Sequence, residues 1–406
     1  MGKNTSRKII FKRKRFNVRQ YLKLRNFAIL FGIIGIVILL SSVVTTELLK
    51  NKVSKSTIVY NAKDDEKENS KNDEDESKLT DKDKINENNE SSNNADNIDL
   101  MVLGEIMMGG KVTNNLNYNY MLAFKNIYNI TKSANFTYAN LATNITNLDT
   151  IDDAKSDYLV TKDILNAINA LGIDSVSIAN DHITDFPSDI IKNTITLLEN
   201  NNIFVAGRKN MPVYFEKDGK KIAIISSNSV IIGTSSNYTN NSISIYDEEN
   251  IKKNILEAKK MADFVIVDLH WGKGEASFGV SEQMRQMAKF TIDSGADLVM
   301  GTHAIGIQPI EIYNNKPIIY TTGYLITDLE YETTKSNYIF NVIFDNNLKL
   351  KEIQMMPTYI NEAKETLLYN DYNEEAANII MQNMNNRNRE SGVNSSIKDG
   401  KIIIKF

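Results

Sequence analysis

The chain has no cysteine, which excludes disulfides, thiolate metal ligands and a cysteine nucleophile. Histidine is scarce as well, with three in 406 residues, and there is a single tryptophan. Residues 1–26 hold ten Lys/Arg and no Asp or Glu, and Phe27 to Thr46 then hold no charge of either sign. A helix of ~20 apolar residues spans a bilayer. The basic flank predicts a cytoplasmic N-terminus, lying against anionic headgroups of the lipid bilayer, and an external C-terminal body. A cleaved signal peptide is the competing interpretation. The run exceeds the usual ~7–15 residues, and Ser41 to Thr46 offers no A-x-A-like cleavage site, so an uncleaved single-pass anchor over 27–46 is expected. The net charge of -4 leaves -14 on everything beyond the basic tail. An external part this acidic has no non-specific attraction for nucleic acid.

Residues 47–97 are almost entirely Asp, Glu, Lys, Asn and Ser from Ala62 onward. Such a stretch cannot bury enough surface to offset its ordering entropy, and it reads as a disordered acidic, Asn-rich linker. A folded domain is expected over 98–362, with a C-terminal helix and strand extension over 363–406. Apolar patterning predicts strands at Asp99–Gly104, Asn135–Leu141, Ile173–Ala179 and Ile203–Ala206. It predicts helices at Lys162–Leu171, Ser188–Asn200, Glu248–Met261, Ser281–Ser294 and Glu374–Asn388. Hairpins are expected to turn at Asp218-Gly219, near Asn314-Asn315 and at Asn346-Asn347. There is no internal repeat. Alternating strands and helices followed by hairpins indicate an α/β domain with antiparallel strands at the sheet edges.

Each histidine follows a short apolar run that reads as a buried strand. His182 follows Val176 to Ala179, His270 follows Phe264 to Leu269, and His303 follows Asp297 to Thr302. Carboxyl ends of strands in an open α/β sheet are where ligands and metals collect, and neutral imidazole is a common metal ligand. One such histidine is more often a hydrogen-bonded structural residue. Three of three favour a shared site.

The motifs around these histidines resemble those of the poly-gamma-glutamate capsule biosynthesis (CapA-type) family. Gly104 to Gly110 is similar to its G-D-I-M-L-G-R, and Ser177 to His182, with Asp185, to its S-x-A-N-N-H and following Asp. Ala206-Gly207-Arg208 resembles its A-G segment, and Leu269 to Gly272, with Glu275, its H-W-G-x-E. The longest likeness runs Gly295 to His303, then Gln308 to Glu311, and on from Asn315 to Gly323. The resemblance covers about Leu100 to Ile360. It implies a calcineurin-like metallophosphoesterase-type β-sandwich flanked by helices, here preceded by one transmembrane helix, with a two-metal centre at the strand ends.

Carried over residue by residue, that centre is damaged. Glu105 stands where the family has the first metal carboxylate, an Asp. Ala142 replaces the bridging Glu of N-L-E, Asp181 replaces an Asn, Ile305 replaces the second His of H-x-H, and Tyr324 replaces the Asn of S-L-G-N. The resemblance then implies Glu105, Asp181, His270 and His303 as metal residues, with Asp181, His270 and His303 as a set for one divalent ion such as Mn, Zn or Fe(II). It implies His182 with Asp185 as the proton-donating pair, and Asn140, Asn180, Arg208, Trp271 and Glu275 as substrate contacts. Each has a plainer alternative: relics in an empty pocket, a core Trp271, a solvated Glu275, a surface ion pair at Arg208. The expected function is a membrane-anchored external protein serving synthesis or export of an anionic capsular polymer. Its partners would be that polymer and the membrane subunits of a synthesis complex. A single-metal surface hydrolase and a structural envelope protein are the alternatives.

Overall fold

The computed structural model describes residues 97–406 except 150, 152–156, 231–242 and 274–278, together with the backbone of a short strand at Val59–Asn61. The expected anchor at 27–46 lies outside the described residues. Among those described, no helix is long and apolar enough to cross a membrane.

Two mixed sheets face each other. The first runs in the order Val59–Asn61, Val213–Lys217, Lys220–Asn228, Phe264–His270, Leu298–Thr302, Lys316–Ile319, Glu311–Tyr313. The second runs Ser395–Lys398, Lys401–Lys405, Leu350–Ile360, Ser336–Asp345, Asn97–Met107, Phe136–Leu141, Ser175–Ser177, Phe204–Ala206. One apolar cluster fills the space between the sheets, drawing Leu100, Phe136 and Phe340 from one and Phe215, Ile266 and Met300 from the other. Helices cover both outer faces. Glu248–Ala258 and Glu282–Asp293 pack on the first sheet, and Ile164–Ala170 and Ser188–Asn200 on the second. Central strands covered on both faces need continuous apolar runs, and every residue of Phe264–His270 and Leu298–Thr302 is buried.

The 11-residue strand Asn97–Met107 serves two partners on one edge. Its first half pairs antiparallel with Ser336–Asp345, and its last residues pair parallel with Tyr324–Thr327. Gly104, at the changeover, has no room for a side chain, since a Cβ would lie 2.6 Å from the Gly323 carbonyl oxygen. This arrangement sets Glu105 beside Tyr324.

Most expected elements are present, some with different bounds: the Ile173–Ala179 strand is confined to Ser175–Ser177, whereas the Asp99–Gly104 strand extends over Asn97–Met107. One feature departs from expectation. Val59–Asn61, inside the expected linker, pairs parallel with Val213–Lys217, consistent with its β-branched and aromatic residues. Residues 363–406 are continuous with the sandwich: Lys401–Lys405 pairs with Leu350–Ile360, and Met381, Met384, Ile402 and Ile404 enter the inter-sheet core.

Candidate metal centre

Strand alternation decides which side chains meet. In Phe264–His270, Phe264 and Ile266 face the other sheet while Val265, Val267 and Leu269 face the helices. A period of two then carries Asp268 and His270 inward. By the same count Leu298 and Met300 bring Thr302 inward, and Phe136 and Tyr138 bring Asn140. Towards the carboxyl ends of these strands the inner face changes from apolar to polar, and side chains bond across the gap. Tyr138 Oη donates to Asp268 Oδ2 at 2.6 Å, and Ser226 Oγ reaches the same oxygen at 3.1 Å. Asn140 Nδ2 donates to Thr302 Oγ1 at 3.3 Å.

At the end of this seam Asp181 meets His270. Asp181 caps the 3-10 turn His182–Asp185, its Oδ1 accepting the His182 backbone N–H at 3.0 Å. His270 Nε2 lies 2.9 Å from Asp181 Oδ1, and Thr302 Oγ1 holds the other ring nitrogen at 2.8 Å. His303 Nδ1 lies 3.8 Å from Asp181 Oδ2, and its ring centroid 4.8 Å from that of His270. One donor atom from each of Asp181, His270 and His303 falls within 4.8 Å of the other two. His303 has φ +81°, a left-handed conformation that costs a non-glycine residue about 1–3 kcal/mol and is found where surroundings hold a residue for function.

The electrostatics suit a cation. Burial pushes the Asp181 carboxyl up, but the hydrogen bond from His270 and the charges of His270, His182 and His303 outweigh it and hold the group below the usual carboxylate range. Burial and the neighbouring His270 bring His303 down to about 4, so its imidazole is neutral and offers a lone pair at pH 7. Two imidazoles and one carboxylate, one imidazole fixed by a hydroxyl on its far nitrogen, make a donor set that fits a divalent transition metal. A depressed histidine contributes stability that is present above its unfolded value near 6.5 and lost as pH falls towards 4. In an NMR titration His303 should therefore stay neutral well below pH 6. Protonation near 6.5 would contradict the half-buried, cation-ready geometry.

Other expected site residues fare differently. His182 Nδ1 lies 2.9 Å from Asp185 Oδ2, and its Nε2 is 3.8 Å from Asp181 Oδ1, so the expected pair forms at the edge of the cluster. Burial works against the His182 cation, yet the bond to Asp185 and the charges of Asp181, Glu105 and Asp185 raise its pKa. Glu105 is buried beside the cluster but outside the three-ligand group, and burial pushes its carboxyl up. Asn140 and Asn180 are buried and bond to each other, Asn180 Nδ2 donating to Asn140 Oδ1 at 3.0 Å and to the Leu141 carbonyl at 2.8 Å. They therefore stand as loop-fixing groups.

Trp271 corrects the expectation of a substrate contact. It is fully buried, its indole N–H donates to the Tyr320 carbonyl at 2.9 Å, and the ring fills the space left by Gly301. Arg208 pairs with Glu199 and lines a cavity with Lys192 and Thr196, none of which belongs to the histidine cluster. Glu275 lies outside the described residues. Sequence reasoning missed Thr302, although alternation along its strand places it on the face of His270. It also missed Tyr158, whose ring stacks on His182 at 3.8 Å between centroids and which no local pattern marks.

The family described as "Bacterial capsule synthesis protein PGA_cap" matches residues 99–329. The "PGA biosynthesis protein CapA" of Bacillus subtilis (strain 168) is 26% identical over 274 residues, covering 64% of this chain and 71% of its own. The "Capsule biosynthesis protein CapA" of Bacillus anthracis is 24% identical over 286 residues, covering 66% and 69%. Among solved structures, a putative 5'-nucleotidase from Staphylococcus aureus is similar at a TM-score of 0.40 and 15% identity, over 63% of this chain and 52% of that one.

Proposed function

Because this chain belongs to the bacterial capsule synthesis protein PGA_cap family, we propose that it serves synthesis or export of an anionic capsular polymer, poly-γ-glutamate in the first instance. It does so as a membrane-anchored external protein. The names of the two Bacillus relatives support the polymer, and the charge-free span at 27–46 behind its basic flank supports the anchor. Its partners would be the polymer and membrane subunits of the synthesis complex.

The observation that carries the reading of the centre is the pairing of one compact donor set with two apolar positions. Asp181, His270 and His303 converge, whereas Ala142 and Ile305, which stand where the family has ligands, are buried and bear no donor atom. That supports one metal ion in place of a bridged pair. A divalent ion held by Asp181, His270 and His303 would supply positive charge to polarise a ligand oxygen. Around it, Thr302 would orient His270, and Asp185 would hold His182 as a proton donor. We therefore expect weak catalysis or none, with the centre binding or guiding polymer.

The hydrolase alternative draws on the His182–Asp185 bond, which holds an imidazole of raised pKa against the cluster. Two measurements separate the readings. Elemental analysis of the purified full chain should find no more than one equivalent of transition metal, and a chromogenic phosphodiester should turn over barely above background. Two tightly bound equivalents, or robust turnover abolished by His182→Ala, would install the hydrolase. Deletion of the gene should strip the polymer from the cell surface, and unchanged polymer would remove the capsule role.

A further inference from the structure

We propose that Tyr158 and Tyr324 form a two-phenol clamp for an oxyanion, on the Glu105–His182 side of the centre. The inference rests on reading Asp181, His270 and His303 as a ligand site, and it adds the group that the ligand must carry.

Tyr324 is pinned from both sides. It begins the Tyr324–Thr327 strand in register with Glu105, so the two side chains are neighbours on adjacent parallel strands. The Glu105 backbone N–H donates to the Gly323 carbonyl at 2.8 Å, and the Tyr324 N–H donates to Asn337 Oδ1 at 2.9 Å. Gly323 has φ +71°, and a Cβ there would sit 2.5 Å from Ile307 Cδ1 and 2.6 Å from Asn337 Oδ1. Only glycine fits, so the chain cannot relax around the tyrosine.

Tyr158 is fixed by a different device. Its φ of +57° is rare for an aromatic residue and costs free energy that the surroundings must supply. Asn144 holds it: the Asn144 backbone N–H donates to the Tyr158 carbonyl at 2.8 Å, while Asn144 Nδ2 donates to the carbonyls of His182 and Ile183, both at 3.2 Å. One asparagine thus ties the turn bearing Tyr158, just before the Leu159–Thr161 strand, to the turn bearing His182, and the two rings stack.

Neither phenol has a hydrogen-bond partner among the described residues, although both are largely covered. Tyr158, Asp181 and Glu105 are each close enough to act on the Tyr324 hydroxyl, and burial, the largest influence, pushes its pKa well up. Burial and nearby carboxylates push Tyr158 to about 12. Both groups therefore remain O–H donors. Donors without an acceptor among the described residues, held rigidly beside a cation-ready cluster, suit an oxygen-bearing anion with at least two acceptor oxygens. Such an anion could be a phosphoryl or a carboxylate group.

The test uses the full chain in detergent, titrated calorimetrically with Mn(II) alone and then, in separate arms, with inorganic phosphate and with glutarate. Tyr158→Phe and Tyr324→Phe remove only the hydroxyls. Both variants should bind Mn(II) as the wild type does and lose about 10-fold in affinity for whichever probe the wild type binds. A phosphate response marks a phosphoryl ligand and a glutarate response a carboxylate. Unchanged probe affinity in both variants, or a metal-loaded wild type that binds neither probe, overturns the clamp. Failure of the wild type to bind Mn(II) would instead defeat the metal-centre reading. In that case the clamp stands on hydroxyl-dependent probe binding by the metal-free chain, and falls without it.

Discussion

Ala142→Glu should destabilise the metal-free protein severely, and an excess of divalent ion should restore much of the loss. Ala142 is fully buried in the outer core of the second sheet, with Ile106, Leu141 and Ile145, and its N–H donates to the Ile106 carbonyl at 2.9 Å. An ionised carboxylate placed there without a partner costs several kcal/mol, and the added volume costs about 1–3 kcal/mol more. In a domain of this size a loss of about 4 kcal/mol lowers the melting midpoint by roughly 10 °C. If position 142 borders the metal site, a bound cation would pair with the new carboxylate and recover stability. Melting curves with chelator and with excess Mn(II) read both halves. A variant that melts as the wild type does in chelator would show that this space is not filled as described. A variant that stays destabilised with metal would show that position 142 does not face the centre. Adding Ile305→His should deepen the dependence on metal, since Ile305 is the other buried position without a donor atom.

His303→Gly should cost the protein its metal while improving its backbone. The imidazole is one of three donors, and losing a ligand should weaken binding by more than the roughly 10–100-fold typical of losing only a supporting residue around a metal. The left-handed φ of +81° is adopted by glycine without strain, whereas alanine retains the penalty. His303→Gly should therefore be about 1 kcal/mol more stable than His303→Ala, with equal loss of metal affinity. Competition against a chromogenic chelator and denaturant unfolding of both variants give the two readouts. Metal affinity that survives either substitution would remove His303 from the donor set. Equal stability of the two variants would remove the strain.

Much of the fold was legible because its signals are local. Phe264–His270 shows as a strand from its apolar run, and Ser188–Asn200 as a helix from its spacing. The turns at Asp218-Gly219 and Asn314-Asn315 take positive φ at both central residues, as such residue pairs permit. The Asn346-Asn347 turn places its positive φ one residue later, at Leu348, where no sequence preference would put it. The short strands Asn144–Thr146 and Leu159–Thr161 pair only with each other, and three residues carry too little pattern to be recognised.

For the candidate site, the sequence by itself marked the candidate residues: three histidines at strand ends, Asp181 before His182, and donor-free apolar residues at 142 and 305. That His270 and Thr302 share a face follows from the parallel pairing of their two strands, which sets them side by side in register. Only the tertiary structure decided that Asp181, in the loop after a strand of one sheet, meets His270 of the other at 2.9 Å, since that contact depends on how two sheets pack. It also decided that Trp271 belongs to the core, because the room for its indole comes from Gly301 on a neighbouring strand. And it set Tyr158 against His182 through Asn144, three residues that local pattern cannot connect, because hydrogen bonds between separate loops leave no periodic trace in the chain.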